Sequence, residues 1–140
     1  MTGEAYYPSP WPGEDGGPAR LSTPLSGNGL NIQPGEKLKA IVRKIHMGTM
    51  TVLGDPGEVF LLTHTMVRSK FGLPTTCCVE RVDFQNLKTI YKSPRLQGGP
   101  AWPGGIAVHL SGDLYVVYGR YAHRLNRSCE LVASFQLPIN

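Results

Sequence analysis

The stretch Gly105–Pro138 constrains this chain more than any other. Four short apolar runs lie in it: Ile106–Leu110, Leu114–Tyr118, Ala122–Leu125 and Leu131–Leu137. Ser-Gly-Asp, Gly-Arg and Asn-Arg-Ser separate them. Runs of this length between such punctuation read as strands joined by tight turns. The expectation is one four-stranded antiparallel meander. Along Leu114–Tyr118, side chains 114, 116 and 118 share one face and Tyr115 and Val117 the other. Both faces are apolar, which predicts a strand covered on both sides; a strand with one wet face would alternate apolar with polar.

The same pattern occurs earlier in the chain. Gly57-Glu58-Val59-Phe60-Leu61-Leu62 matches Gly112-Asp113-Leu114-Tyr115-Val116-Val117. Glu80-Arg81-Val82-Asp83 matches His123-Arg124-Leu125-Asn126, and Leu87–Tyr91 matches Leu131–Phe135. Leu38–Lys44 in turn matches Leu87–Ser93, about fifty residues on, a period that belongs to propellers and solenoids. The competing account is coincidence among short β-rich strings. The chain therefore reads as a lone strand at 38–44 and two four-stranded units, about 48–93 and 105–138. Together these form a domain over 31–140. The expected ladders pair Glu58–His64 with Cys77–Asp83, and Leu114–Tyr118 with Ala122–Asn126. Val59, Leu61, Leu114, Val116 and Val117 are the expected core.

At Gly112–Val116, Ala122–Asn126 and Glu130–Phe135 the chain resembles β-propeller blades of the quinoprotein (PQQ-like) or SMP-30-like kind. In such blades a small-residue turn leads into the second strand, and the third ends on Asp or Asn. The resemblance covers about residues 36–138. It departs from the quinoprotein pattern where the last strand usually has Trp; Tyr91 and Phe135 stand there. The fold class expected is all-β, with two propeller blades plus one extra strand, a partial or oligomer-completed propeller. Two blades cannot close a ring. The chain is then a piece of a larger propeller, or it assembles with its own copies, or its two meanders fold onto each other.

The first thirty residues stand apart. Five prolines and several glycines, with little apolar periodicity, read as a disordered or loosely packed tail. Tyr6, Tyr7 and Trp11 could instead pack on a neighbouring blade. No apolar run has the length of a signal peptide or a membrane span, so no membrane partner is expected. Cys77, Cys78 and Cys129 are odd in number and lack zinc-site spacing, which suits reduced thiols in a cytoplasm. Seventeen glycines and twelve prolines fit many short strands with tight turns. Lys37–Met47 is the nearest thing to a helix, but Pro34-Gly35 and the repeat favour a strand there.

Chemistry is weakly encoded. No Gly-x-Gly-x-x-Gly, P-loop, Gly-x-Ser-x-Gly or His-Glu-x-x-His pattern occurs. His46, His64, His109 and His123 fall in different elements, and Asp55, Glu58 and Asp113 sit in turns. No catalytic or metal-binding residue is assigned, and no cofactor is expected. Trp102 reads as a packing plug in the crossing between units.

Topology offers more. Successive meander loops alternate between the two ends of the strands. Glu36, Asp55, Glu58, Asp83, Asp113 and Glu130 fall at one end, diluted but not reversed by Lys37 and Arg127; Glu80 lies within a strand. Arg43, Lys44, Arg68, Lys70, Lys92, Arg95 and Arg120 fall at the other, with His46, His64 and Tyr121 near them. The expected function is a non-catalytic binding module whose basic loop face takes an anionic partner, such as an acidic protein or a phosphorylated ligand. Arg68, Lys70, His64, Arg95, Arg120 and Tyr121 are the expected ligand-binding residues. Nucleic acid is an open but unfavoured partner, because the formal charge of +4 is modest. Self-association, or association with the remaining blades, is expected too. The rival is a fragment or subunit of a propeller enzyme, a quinoprotein-like dehydrogenase or an SMP-30-like lactone hydrolase, with a quinone or divalent metal in its channel.

Overall fold

The computed structural model describes residues 5–17, 20, 22, 32–45, 47–99 and 104–138. His46, Trp102 and most of the N-terminal thirty residues beyond position 17 lie outside the described residues. The short apolar runs form strands β1 (Gly48–Leu53), β2 (Glu58–His64), β3 (Thr76–Asp83), β4 (Thr89–Lys92), β5 (Leu96–Gln97), β6 (Gly105–Val108), β7 (Leu114–Tyr118), β8 (Tyr121–Leu125) and β9 (Leu131–Gln136). The protein is all-β, built of two antiparallel meanders. The first runs β1-β2-β3-β4 with β5 also on β3, and the second runs β6-β7-β8-β9. Among the described residues no helix is long and apolar enough to cross a membrane.

The expected ladders form. Glu58 pairs with Asp83 and His64 with Cys77; Leu114 pairs with Leu125 and Tyr118 with Tyr121. Matched positions also do matched work. Gly57 and Gly112 adopt φ of 89° and 86° in the turns entering β2 and β7, a backbone that disfavours any side chain. Glu58 pairs with Arg81 at 3.2 Å, and its counterpart Asp113 with Arg124 at 2.5 Å. Asp83 and Asn126 each accept two backbone N–H groups of the turn that follows. Those turns end on Leu87 and Cys129, at φ of 57° and 61°. The fourth strands match two residues away from the sequence alignment: Val82 faces Thr89 as Leu125 faces Leu131. Each ladder slips at a bulge there, which a gapless comparison of sequence does not register.

One core joins the sheets. Val52, Phe60, Leu62 and Val79 of the first pack with Ile106, Val108, Leu114, Val116 and Tyr118 of the second. The meeting faces are unlike in the repeat. Phe60 and Leu62 point inward, whereas their counterparts Tyr115 and Val117 point outward. The meanders therefore stack head to tail.

Double cover of the second strands is not what the structure shows. Val117 is 43% and Tyr115 39% exposed, and Val59 and Leu61 are only half-buried. Two layers bury one face each, and the outer face of β7 carries no covering layer among the described residues. The lone strand at Leu38–Lys44 is also corrected. Residues 36–45 form no ladder and run as an exposed strap, with Val42 85% exposed. Side-chain bonds from Arg43 to Glu80 and to the Leu87 carbonyl hold the strap instead. A short β5 pairs with Thr76 and Cys77 of β3.

Residues 5–12 are bound rather than loose. Tyr6 bridges His109, Tyr7 N–H donates to the Val108 carbonyl at 3.0 Å, and Val108 N–H donates to Pro12 at 2.7 Å. Leu53 N–H donates to Trp11 at 2.8 Å, and the Ser9 hydroxyl donates to the Leu53 carbonyl at 2.5 Å. This ribbon satisfies backbone groups of both innermost strands, β1 and β6. Tyr7 also donates to Asp55, which Arg127 of the second sheet grips as well.

Candidate functional site

A cleft of about 440 Å³ opens on the outer face of the first sheet, beneath the strap. That size suits a small ligand or one anchoring group of a larger one. Three features of the chain build it. The alternation of β2 and β3 puts Thr63, Cys78 and Glu80 on the face away from the core. The strap brings Arg43, Lys44 and Ile45 over them, and the end of β4 adds Lys92, Ser93 and Arg95. His64, Thr65, Thr76 and Cys77 close one end.

The floor is preorganised. Glu80 is 4% exposed and accepts from Lys92 at 2.8 Å, Thr89 at 2.6 Å and Arg43 at 2.5 Å. Burial by itself would raise its carboxyl; the bonds from Lys92, Thr89 and Arg43 outweigh burial and hold it at about 2. Glu80 is thus a fixed anion in the middle of β3, under the cations of the cleft. It binds two of the four cations. Lys44 and Arg95 have no carboxylate within ion-pair distance among the described residues.

The other groups are neutral. Burial pushes the His64 imidazole below its ordinary value, so it is uncharged at neutral pH. Its Nδ1 accepts from Met66 N–H at 3.2 Å, which leaves the ring proton on Nε2, and the ring stacks 5.9 Å from Tyr118. Burial raises the Cys78 thiol, with Lys92 and Arg95 opposing it, and pushes Cys77 up to about 12. Neither is a thiolate nucleophile at neutral pH. Thr65 and Thr76 lock each other: Thr65 N–H donates to the Thr76 carbonyl at 2.9 Å and Thr76 N–H to the Thr65 hydroxyl at 2.8 Å. What the cleft offers is cationic hydrogen-bond donors above a neutral polar wall.

Of the six residues expected to bind ligand, the structure brings His64 and Arg95 together here. Arg68 and Lys70 lie exposed on the 3-10 turn Met66–Phe71, outside the cleft; Arg68 Nε donates to the Pro74 carbonyl at 3.1 Å. Arg120 and Tyr121 lie where β7 turns into β8. Tyr121 accepts from Gln97 Nε2 at 2.9 Å and stacks 6.2 Å from His123. The Thr75 hydroxyl donates to the Gly99 carbonyl at 2.5 Å, which ties the Arg68 loop to the chain beside Arg120. These basic residues therefore share one end. Asp55 and Arg68 flank opposite ends of β2, as the alternation of loops predicts. Arg43, Lys44 and Lys92 were readable as neighbours of the basic end. That the strap carries two of them over β3 was not readable from composition or period.

Among the described residues no group of three or more His, Cys, Asp or Glu side chains is arranged to hold a metal ion. Comparison with protein-family models, curated proteins and solved structures finds no match to this chain.

Proposed function

We propose that this chain is a non-catalytic binding module, built of two propeller-type blades, that holds an anionic group in the cleft under the strap. The observation that carries the reading is the charge balance of the cleft. Arg43, Lys44, Lys92 and Arg95 line it against the single carboxylate of Glu80, which engages only Arg43 and Lys92. Lys44 and Arg95 remain to pair with a ligand. Glu80 positions its two partners without neutralising the site, and the Nε2–H of His64 supplies an uncharged donor. A phosphorylated ligand, or the phosphorylated or acidic segment of a partner protein, has the chemistry this wall would recognise.

The blade reading rests on the internal repeat. Equivalent turns, ion pairs and ladders recur, and the meanders stack by unlike faces as successive blades do. Three free thiols are in keeping with a reducing, cytoplasmic setting.

The test is calorimetric titration of the intact chain with inorganic pyrophosphate and with a phosphoserine peptide at low ionic strength. Binding should weaken as salt rises. It should fall at least about tenfold in Lys44→Glu/Arg95→Glu, with Arg68→Glu/Lys70→Glu causing a smaller loss. Absence of binding by either probe, or a loss confined to the Arg68/Lys70 variant, would overturn the cleft as the site.

A further inference from the structure

Three of the four outer sheet edges are protected. The free edge of β6 is taken by the ribbon of residues 5–12, and β1 runs against β6 with Leu53 bonded to Trp11. β4 is four residues long, with Lys88 before it and Lys92 at its end, charges that discourage strand pairing. β9 is the exception. Its six residues, Leu131-Val132-Ala133-Ser134-Phe135-Gln136, are all exposed, and they include no charge, proline or glycine. β8 occupies one side of β9, and among the described residues no strand pairs with its other side. The outer face beside it is apolar, with Tyr115, Val117 and Phe135 half-exposed.

We propose that β9 is the seat of a two-fold dimer, in which the β9 strands of two copies pair antiparallel and join the second meanders into one eight-stranded sheet. The occupant is a second copy because the strand complements itself. A two-fold axis normal to the sheet keeps the core-side and outer faces of both copies in line only when paired residue numbers have an even sum. Centred on Ser134, the pairing sets Ala133 opposite the partner's Phe135, Val132 opposite the partner's Gln136, and Leu131 opposite the partner's Leu137. The small Ala133 leaves room for the ring of Phe135, so the pairing sets no bulky side chain against that ring on the outer face. No charge faces a like charge along the strand.

The charge distribution favours the same orientation. Parallel pairing would set two basic ends side by side. The antiparallel pair sends them to opposite ends of the dimer and brings Glu130 of one copy to the sheet end that carries the partner's Arg120. The anion cleft lies on the other meander, so this interface does not depend on the proposed function.

Light scattering on the full chain should report a dimer that dissociates on dilution. Ala133→Lys should weaken it at least about tenfold while the circular-dichroism melt stays close to the parent's. Under mild oxidation Ser134→Cys should cross-link to its own mate, because the paired backbones lie about 5 Å apart there, within disulfide reach. Val132→Cys, which faces Gln136, should cross-link far more slowly. A monomer at every concentration would overturn the proposal. So would a dimer indifferent to Ala133→Lys, or equal cross-linking of the two cysteine variants. If Ala133→Lys fails to fold, the cross-linking pair still decides.

Discussion

Arg43 reaches from the strap to Glu80 in the middle of β3, Nη2 to Oε2 at 2.5 Å. Its second nitrogen donates to the Leu87 carbonyl at 3.1 Å, so one side chain pins the strap to two neighbouring elements. Arg43→Ala should cost about 1.5–3 kcal/mol, the range for a hydrogen bond to a charged group. It should also speed tryptic cleavage after Lys39 and Lys44. Unchanged cleavage and an unchanged urea midpoint would show that the strap is held by other contacts.

Glu80 links stability to acid. Its folded carboxyl titrates at about 2, below its ordinary 4.5. A depressed carboxyl contributes stability above its unfolded value and loses that contribution as pH falls through the folded one. The contribution, on the order of 2–3 kcal/mol at neutral pH, should therefore fade between about pH 5 and 2. Glu80→Gln should be less stable at pH 7 and flatter over that window. Parallel acid-denaturation curves for the two proteins would refute the linkage.

Adjacent residues of β7 should behave oppositely. Val116 is fully buried, and Val117 is 43% exposed on the outer face. Val116→Asp buries an unpaired charge and should cost more than about 4 kcal/mol or abolish folding. Val117→Asp should cost less than about 1 kcal/mol. Equal effects in thermal melts would contradict the one-sided burial of the sheet.

The thiols report folding. Burial pushes Cys77 up to about 12 and Cys129 up to about 11, and both side chains are enclosed. A thiol reagent at pH 8 should label Cys78 slowly and the other two only on unfolding. Mass spectrometry gives the site of labelling. Rapid native labelling of Cys77 would mean that the His64 end of the cleft opens to solvent.

The two meanders and the turns within them were legible in the residues themselves. Gly57 and Gly112 sit where a left-handed turn is needed, Asp83 and Asn126 where a side chain must close one, and apolar alternation placed the ladders. These are interactions within a few residues or between neighbours in a hairpin, so local spacing carries them. That the loops carrying Asp55 and Arg68 lie at opposite ends of β2 was legible for the same reason, because loop alternation follows from strand order.

Tertiary packing decided the rest. Apolar residues on both faces of β7 could not say which face another layer would take; only the sheet-to-sheet contact buried Leu114 and Val116 and left Tyr115 and Val117 outside. Leu38–Lys44 has the composition of a strand, yet it lies as a strap because Arg43 finds Glu80, 37 residues away, while no sheet edge takes up its backbone. The proline-rich start reads as a tail until β6 and β1 present backbone groups for it to bind. The cleft depends on that strap, and so the site itself is a product of long-range charge pairing. A short-range pattern in sequence does not record which distant carboxylate a cation meets, because that choice is made only when the sheets are already in place.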